Sequence, residues 1–596
     1  MSYMSGLIFN CQKIHMPSIN YWHYFLYISV FLLFLTQSVS GQKKATESIK
    51  EAKEYLEARE YLETRGEVLL SIPASEKNNI SRISNIISID RIDGEYIYVY
   101  ASQKGFDTLV NLNLPFRVET PPSLAIKITQ TEGEFPGDWK QYPTYDEYIA
   151  FIQKLATTHP EICLIDTIGF SVNNRAILAL KISDNVQKDE PEPCFLYTSS
   201  MHGNELGGYY LLLRFADWLL KGYGVNAHIT GLVNHLQVWV NPLSNPDGTY
   251  FMGNNSISGA KRFNINNVDL NRNYPDPEDG PHPDGEEYQP ETLAMMNFME
   301  SRHFTMSANL HGGAELVNYP WDTWAQFHPD DDWYRFISRQ YADTVHKFST
   351  QYMNDMVNGI TNGFAWYTIS GGRQDWVNYF VHGREVTLEL SHANIPATDT
   401  LLWFWECNRR SLLNYMEQAL FGIVGTVTDR TTSMALRAEI EILGHDSLNS
   451  FVFSDSISGK FYRLIKGGNY DLKITANGYR DTMILSVPVT DFNTTVLDIS
   501  LTPARSGINV PSISTIKVLN PFTGDLTISF NSEMQEEMTV DLYDTGGRKV
   551  VHAYPVKSIA GENTIVIDCQ SLVPGIYILK IFSPSISRES LVIKSE

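Results

Sequence analysis

CFLYTSSMHGNELGGYYLLLRFADWLL, Cys194 to Leu220, reads as a strand, a turn and a helix. CFLYTSS is an apolar strand run, and ELGGYYLLLRFADWLL carries apolar residues at helical spacing. The turn between them holds His202 and Glu205, three residues apart and both able to grip a metal. Polar residues just after a strand sit where open α/β sheets form their sites. A catalytic zinc takes three protein ligands and leaves one position open. The rest of the chain must therefore supply a third ligand, a base, and groups that hold a substrate.

The neighbouring sequence extends the same pattern. YDEYIAFIQKLATTHP reads as an amphipathic helix ending before Pro160. AILALKIS, HLQVWVNPLS, MSANLHGG and REVTLELS are further strand candidates. Strands alternating with helices imply one α/β domain, residues 135–420, whose mixed, mostly parallel central sheet is flanked by helices. Among the many histidines, His311 stands apart. It follows an apolar strand and precedes Gly312 and Gly313, which let backbone and ligand pass close.

At 596 residues the chain is too long for one core. Its formal charge of -22 argues against nucleic acid, which needs a basic face. Residues 1–41 read as a signal peptide: Lys13 and His15, the apolar run Tyr24 to Leu35, then Ser38-Val39-Ser40-Gly41. No other run is apolar and long enough for a membrane span. Residues 42–128 read as a small α/β unit, with a charged helix over Glu47 to Arg65 and short strands such as EYIYVY and LPFRVE. It stands where either a pro-segment or a permanent accessory domain could sit. After Leu420 the texture is all-β, and two small sandwiches are expected, 421–505 and 516–596. The cysteines beyond the leader, Cys163, Cys194, Cys407 and Cys569, follow neither a zinc-knuckle nor a disulfide spacing.

Set side by side, HGNE (202–205), the NPDG of Asn245 to Gly248, KRFNINNVDLNRNYPD (261–276), His311 and REVTLELSH (384–392) resemble the zinc metallocarboxypeptidases. The HGNE form is similar to the regulatory branch that includes carboxypeptidases N, E and D. The resemblance implies one zinc ion held by His202, Glu205 and His311, with Asp269 orienting His202 from behind. It implies Glu389 as general base, moving a proton from water to the leaving amine. Arg262 would polarise the scissile carbonyl, and Asn271 with Arg272 would clamp the terminal carboxylate. GGRQDWVNYF (371–380) resembles a family loop in which Tyr379 would close over the substrate, although Val377 is one residue more than the usual pattern.

In the same branch an aspartate after NYP sits at the base of the side-chain pocket. HGGAELVNYPWD puts Asp322 there, and Gln374 matches a second pocket residue. A confined carboxylate needs a cation, so Lys or Arg at the substrate's C-terminus is expected. Residues 422–503 resemble a transthyretin-like sandwich. LNPFTGDLTISF, LYDTGGRKV, LVPGIYILKI and the terminal ESLVIK resemble the sorting domain of type IX secretion cargo. That implies a protein secreted by, or attached to the surface of, a bacterium, with the secretion machinery as a partner. The expected function is thus a monomeric secreted carboxypeptidase acting on peptide or protein C-termini. The alternatives are a murein stem-peptide peptidase and a catalytically inactive peptide-binding surface protein.

Overall fold

The computed structural model describes residues 41–125, 135–504, 516–532, 535, 537–545, 547–559, 561–583 and 586–595. Residues 1–40 of the expected signal segment lie outside them. Apart from 478–480, the described residues up to Leu501 form one compact unit, and those from Thr502 onward, with 478–480, form a second. Among the described residues, no helix is long and apolar enough to cross a membrane.

The heart of the first unit is an eight-stranded sheet. Across it run Ile360–Asn362, Glu315–Tyr319, Arg384–Leu390, Met306–His311, Cys194–Ser199, Gln237–Asn241, Ala176–Ile182 and Cys163–Phe170. The four strands from Arg384–Leu390 to Gln237–Asn241 are parallel, while the pairs at Glu315–Tyr319, Ala176–Ile182 and Cys163–Phe170 bring in antiparallel neighbours. The sheet is therefore mixed and mostly parallel. Helices such as Tyr145–Thr158, Gly207–Gly222, Asp331–His346 and Leu401–Glu417 flank it and share one apolar core with it.

Local chemistry explains these boundaries. Thr144 starts its helix with a reciprocal capping box: its hydroxyl accepts from Glu147 N–H, and the Glu147 carboxylate accepts from Thr144 N–H. The expected helix after the HGNE turn begins only at Gly207, so Glu205 belongs to the turn. Gly208 is needed there. A Cβ on it would lie 2.6 Å from Leu310 Cβ and 2.8 Å from Ser199 Cβ, so the glycine lets the helix start press onto two core strands.

Residues 68–119 form a four-stranded antiparallel sheet, ordered Ile87–Asp93, Tyr96–Ala101, Val68–Pro73, Arg117–Glu119. The helices Gly41–Arg65 and Gln103–Asn111 complete this small α/β unit. The residues after Leu420 fold as two sheets of short strands between Gly422 and Leu501. In the second compact unit, a three-stranded and a four-stranded sheet share a core of Leu526, Ile528, Phe530, Val540, Leu542, Leu579 and Ile581. Cys163, Cys194, Cys407 and Cys569 are all free thiols.

A buried charge network joins the 422–501 sandwich to the large sheet. Arg463 grips both oxygens of Asp330 at 2.9 and 3.0 Å and also reaches Asp446 at 2.5 Å. Arg384, at the start of its strand, donates to Asp330 at 3.0 Å and to the Ser450 carbonyl at 2.6 Å. Burial alone would raise Asp330, but Arg463 and Arg384 hold its carboxyl below the ordinary range. Asp330→Ala removes the carboxylate shared by two buried guanidinium groups. It is expected to destabilise the first unit by about 3–5 kcal/mol, read as a fall in the midpoint of its denaturant transition. An unmoved midpoint would show that the network does not hold the sandwich in place.

Candidate active site

Parallel register brings the key residues to one end of the sheet. Ser199 pairs with Leu310, which sets the turn after Ser199 beside His311. On the other side of that strand, His311 pairs with Glu389. The ligating atoms of His202, Glu205 and His311 all lie within 4.8 Å of one another, and all three residues are buried. His202 Nδ1 stands 3.0 Å from Glu205 Oε1, and His311 Nδ1 stands 2.9 Å from Glu205 Oε2 and 3.1 Å from His202 Nδ1. Two ring nitrogens and a carboxylate aimed at one point form a donor set that suits a divalent metal, and zinc in particular.

The opposite ring nitrogens are backed. His202 Nε2 lies 3.0 Å from Asp269 Oδ1, and His311 Nε2 lies 2.6 Å from the Asn309 amide. Such partners fix the tautomer and aim the ligating nitrogen. Burial raises Glu205, but His202, Arg262 and His311 around it hold the carboxyl well below its usual range. Burial pushes His311 down to about 4, which leaves its ring neutral at pH 7.

Around this centre lies a cavity lined by His202, Arg262, Asn271, Arg272, His311, Asn318, Asp322, Tyr367 and Glu389, among others. Several buried polar atoms near it have no hydrogen-bond partner among the described residues: Arg272 Nη2, Glu389 Oε2, Asp269 Oδ2, Asn318 Oδ1 and Gln374 Oε1. Buried groups are normally paired, so a cluster of orphans around one cavity marks a place where something binds. Burial, with Glu205 nearby, holds the Glu389 carboxyl well above its ordinary range. Gln374 stands behind the cavity and donates to Asp322 Oδ1 at 3.1 Å. Burial pushes Asp322 up to about 7, against the pull of the Asn318 amide.

The cavity has a cover. Ile89 and Asp90, from the strand Ile87–Asp93, line it too. Arg262 donates from Nε to Ser88 Oγ at 2.6 Å, from Nη1 to Asp90 Oδ1 at 3.3 Å, and from Nη2 to the Ile89 carbonyl at 3.4 Å. Its Nη1 also pairs with Glu205. Arg272 donates through Nε to the Ser84 carbonyl at 2.5 Å. Asn394 donates to Asp90 at 2.9 Å. The apolar core of the small α/β unit continues into Ala314, Leu316, Trp366, Tyr367 and Ile369 of the large domain.

One expected site residue falls elsewhere. Tyr379 lies in the wide turn Val377–Val381, with its ring 5.5 Å from Trp324 and 6.3 Å from Trp321, and it does not line the cavity. The extra residue Val377 opens a π-type turn that includes Tyr379. Tyr367 lines the cavity. The aromatic pair Trp366-Tyr367 shortly before Gly371-Gly372 was its signal in the sequence. Asn309 could also have been found, since it precedes His311 by two residues and shares its face of the strand.

The site and fold define a metallohydrolase-like α/β domain, and comparison with known proteins gives its family. Residues 148–411 match the zinc carboxypeptidase family model, and 520–594 match a secretion system C-terminal sorting domain. The chain is 37% identical over 346 residues to carboxypeptidase D of Mus musculus, covering 55% of this chain but 24% of that protein. It is 33% identical over 402 residues to the carboxypeptidase N catalytic chain of Mus musculus, covering 61% of this chain and 86% of that one. Carboxypeptidase M of Mus musculus is 32% identical, with 55% and 77% covered. Among solved structures, carboxypeptidase A from Helicoverpa armigera aligns with a TM-score of 0.46 and 16% identity, over 59% of this chain and 96% of that one. The chain belongs to the zinc carboxypeptidase family. It spans about a quarter of the carboxypeptidase D chains that it matches.

If the donor set holds zinc, His311→Ala should leave the purified chain with far less than one zinc, measured by elemental analysis. Asp269→Asn should keep the site but weaken it roughly 10–100-fold in competition with a chelator. Unchanged affinity in both variants would place the metal elsewhere.

Proposed function

We propose that this chain is the latent form of a zinc-dependent carboxypeptidase that removes C-terminal Lys or Arg from peptides or proteins. The observation that carries this reading is the set of buried, unpartnered groups, Arg272 Nη2 and Glu389 Oε2 among them, beside the convergent His202, Glu205 and His311. Arg272 Nη2 and Asn271 would take the terminal carboxylate, a fork suited to two oxygens. Arg262 would donate to the scissile carbonyl oxygen as charge develops on it. Zinc on His202, Glu205 and His311 would supply Lewis acidity toward water and that carbonyl. Glu389 would accept the water's proton and return it to the departing amine. Asp322, raised to about 7 chiefly by burial, would be ionised by pairing with an ammonium or guanidinium group. Tyr367 would pack against the bound residue.

Latency follows from the cover. Arg262 and Arg272, the two cations meant for substrate, are already engaged by Ser84, Ser88 and Asp90. We assign residues 42–128 as a pro-segment on this ground. The match at 520–594 supports delivery to the cell exterior or surface through the secretion machinery.

Glu389→Gln should retain zinc yet lose turnover by roughly 10²–10⁴-fold; retained turnover would remove it as the base. Asp322→Ala should harm Lys- and Arg-ending peptides at least about a hundredfold more than Phe-ending ones, and equal losses would move the pocket elsewhere. For basic substrates KM should fall as pH rises through about 7, because a carboxyl held that high gains its charge only above it. Limited proteolysis that removes the cover should raise activity well above that of the intact chain, and Asp90→Ala should raise it in the intact chain. Full activity without either change would rule out latency.

A further inference from the structure

One oxygen of the cover marks a point where two donors of the large domain meet. Asp90 Oδ1 accepts from Arg262 Nη1 at 3.3 Å and from Asn394 Nδ2 at 2.9 Å. A carboxylate only accepts, so the end of the Asn394 amide that faces it is the nitrogen. Burial raises the Asp90 carboxyl, while Arg262 and the Asn394 amide pull the other way, so both donors favour negative charge at that point. The place is close to the metal ligands. A Cβ on Gly313, two residues after His311, would fall 2.3 Å from the Asp90 carbonyl oxygen. A Cβ on Gly312, which lines the cavity, would stand 3.6 Å from Asn394 Cα and 3.7 Å from its Oδ1.

Asn394 has no other occupation. It is 4% exposed, its Oδ1 meets no donor, and among the described residues Asp90 is the sole hydrogen-bond partner of its amide. Its main chain is fixed, because its carbonyl accepts from the N–H of Leu206, the residue after Glu205, at 2.7 Å. Without the cover, a firmly based amide nitrogen would stand beside Arg262 with nothing to donate to, and buried donors are normally paired. The cover lies along the cleft in order, with Ser84 at Arg272 and Ser88, Ile89 and Asp90 at Arg262. Asp90 Oδ1 thus stands in for an oxygen of the substrate.

We propose that Asn394 is a further catalytic residue, whose Nδ2 donates together with Arg262 to the scissile carbonyl oxygen, the atom whose place Asp90 Oδ1 takes in the covered chain. The proposal rests on the carboxypeptidase reading above and goes beyond it. When the water oxygen bonds to the carbonyl carbon, the π pair moves onto the carbonyl oxygen and a water proton passes to Glu389. Two donors already aimed at that oxygen meet the new charge without reorganising. The C–N bond then breaks, the amine leaves with the proton from Glu389, and the electron pair on oxygen restores the carbonyl of the new terminal carboxyl group. The same amide has a second use: before activation it holds the cover through Asp90.

The experiment compares wild type, Asn394→Ala and Asn394→Asp in the full chain, nicked if nicking is required for activity. Zinc content and thermal midpoint report folding. The ligands are a peptide ending in the residue that the wild type releases fastest, the same peptide with a phosphonate in place of the scissile amide, and the same peptide with CH2–NH there, which has no carbonyl oxygen. Asn394→Ala is expected to lower kcat roughly 10²–10³-fold while KM moves less than about threefold. Affinity for the phosphonate should fall by the same factor as kcat, and affinity for the CH2–NH peptide by less than about threefold. Asn394→Asp keeps the size of the side chain but sets a carboxylate against the developing charge. It should lose at least as much as the alanine variant, and it decides the matter if that variant fails to fold. A folded Asn394 variant with kcat within about threefold of wild type would overturn the assignment, as would an equal loss of affinity for both analogues. In those cases a wild type that releases C-terminal residues keeps the carboxypeptidase reading, and only the role of Asn394 falls. A nicked, zinc-loaded wild type that releases none removes both.

Discussion

The pairing of Met306–His311 between two parallel neighbours is the constraint on which the site depends. It decides that His311 points beside the HGNE turn and that Glu389 lies across from His311 in the next strand. A slip of one residue would turn these side chains to the other face of the sheet. The register is pinned by the apolar residues between them: Leu310, Leu388 and Ala308 are buried at 1% or less, and each fully buried side chain the size of leucine contributes about 1.5–3 kcal/mol. His202, Glu205, His311, Glu389, Asn271 and Arg272 are thus carried by rigid elements and short turns, with core packing behind them.

Much of this could be read from the residues. His202 and Glu205 stand at a strand-to-helix turn, and His311 ends an apolar strand before two glycines, so period and punctuation made them candidates, and the family resemblance joined them into one ligand set. Glu389 was different. The alternation Leu388-Glu389-Leu390 fits a solvated strand face equally well, and only the family resemblance separated the two. Tyr379, expected as a residue that closes over substrate, stands in the turn Val377–Val381 outside the cavity lining, and counting along a loop does not reveal where the extra residue Val377 places it.

The sequence offered a pro-segment as one of two readings of residues 42–128, but the contacts that cover the cavity were hidden. Asp90 and Arg262 are far apart in the chain, and neither has a local pattern that announces the other. Their contact combines two kinds of force. Ser84, Ser88 and Asp90 occupy the guanidinium groups, while Trp366, Tyr367 and Ile369 bury apolar surface against the small α/β unit. Salt weakens the first kind only modestly, because the pair is buried, and leaves the second untouched. The loop that carries Tyr367 is therefore packed against the same unit that blocks the arginines, so that uncovering the cavity also frees the aromatic ring that lines it.

The Arg463–Asp330–Arg384 network has a practical meaning for anyone who handles this protein. A boundary drawn at Leu420, where the α/β pattern ends, would cut the polypeptide between partners of a buried ionic cluster. Asp330 and Arg384 would meet solvent on a surface shaped for a neighbour, with Arg463 gone. The smallest piece expected to behave as a well-mannered soluble enzyme runs through Leu501, and the β-rich appendage is part of the catalytic body's own integrity.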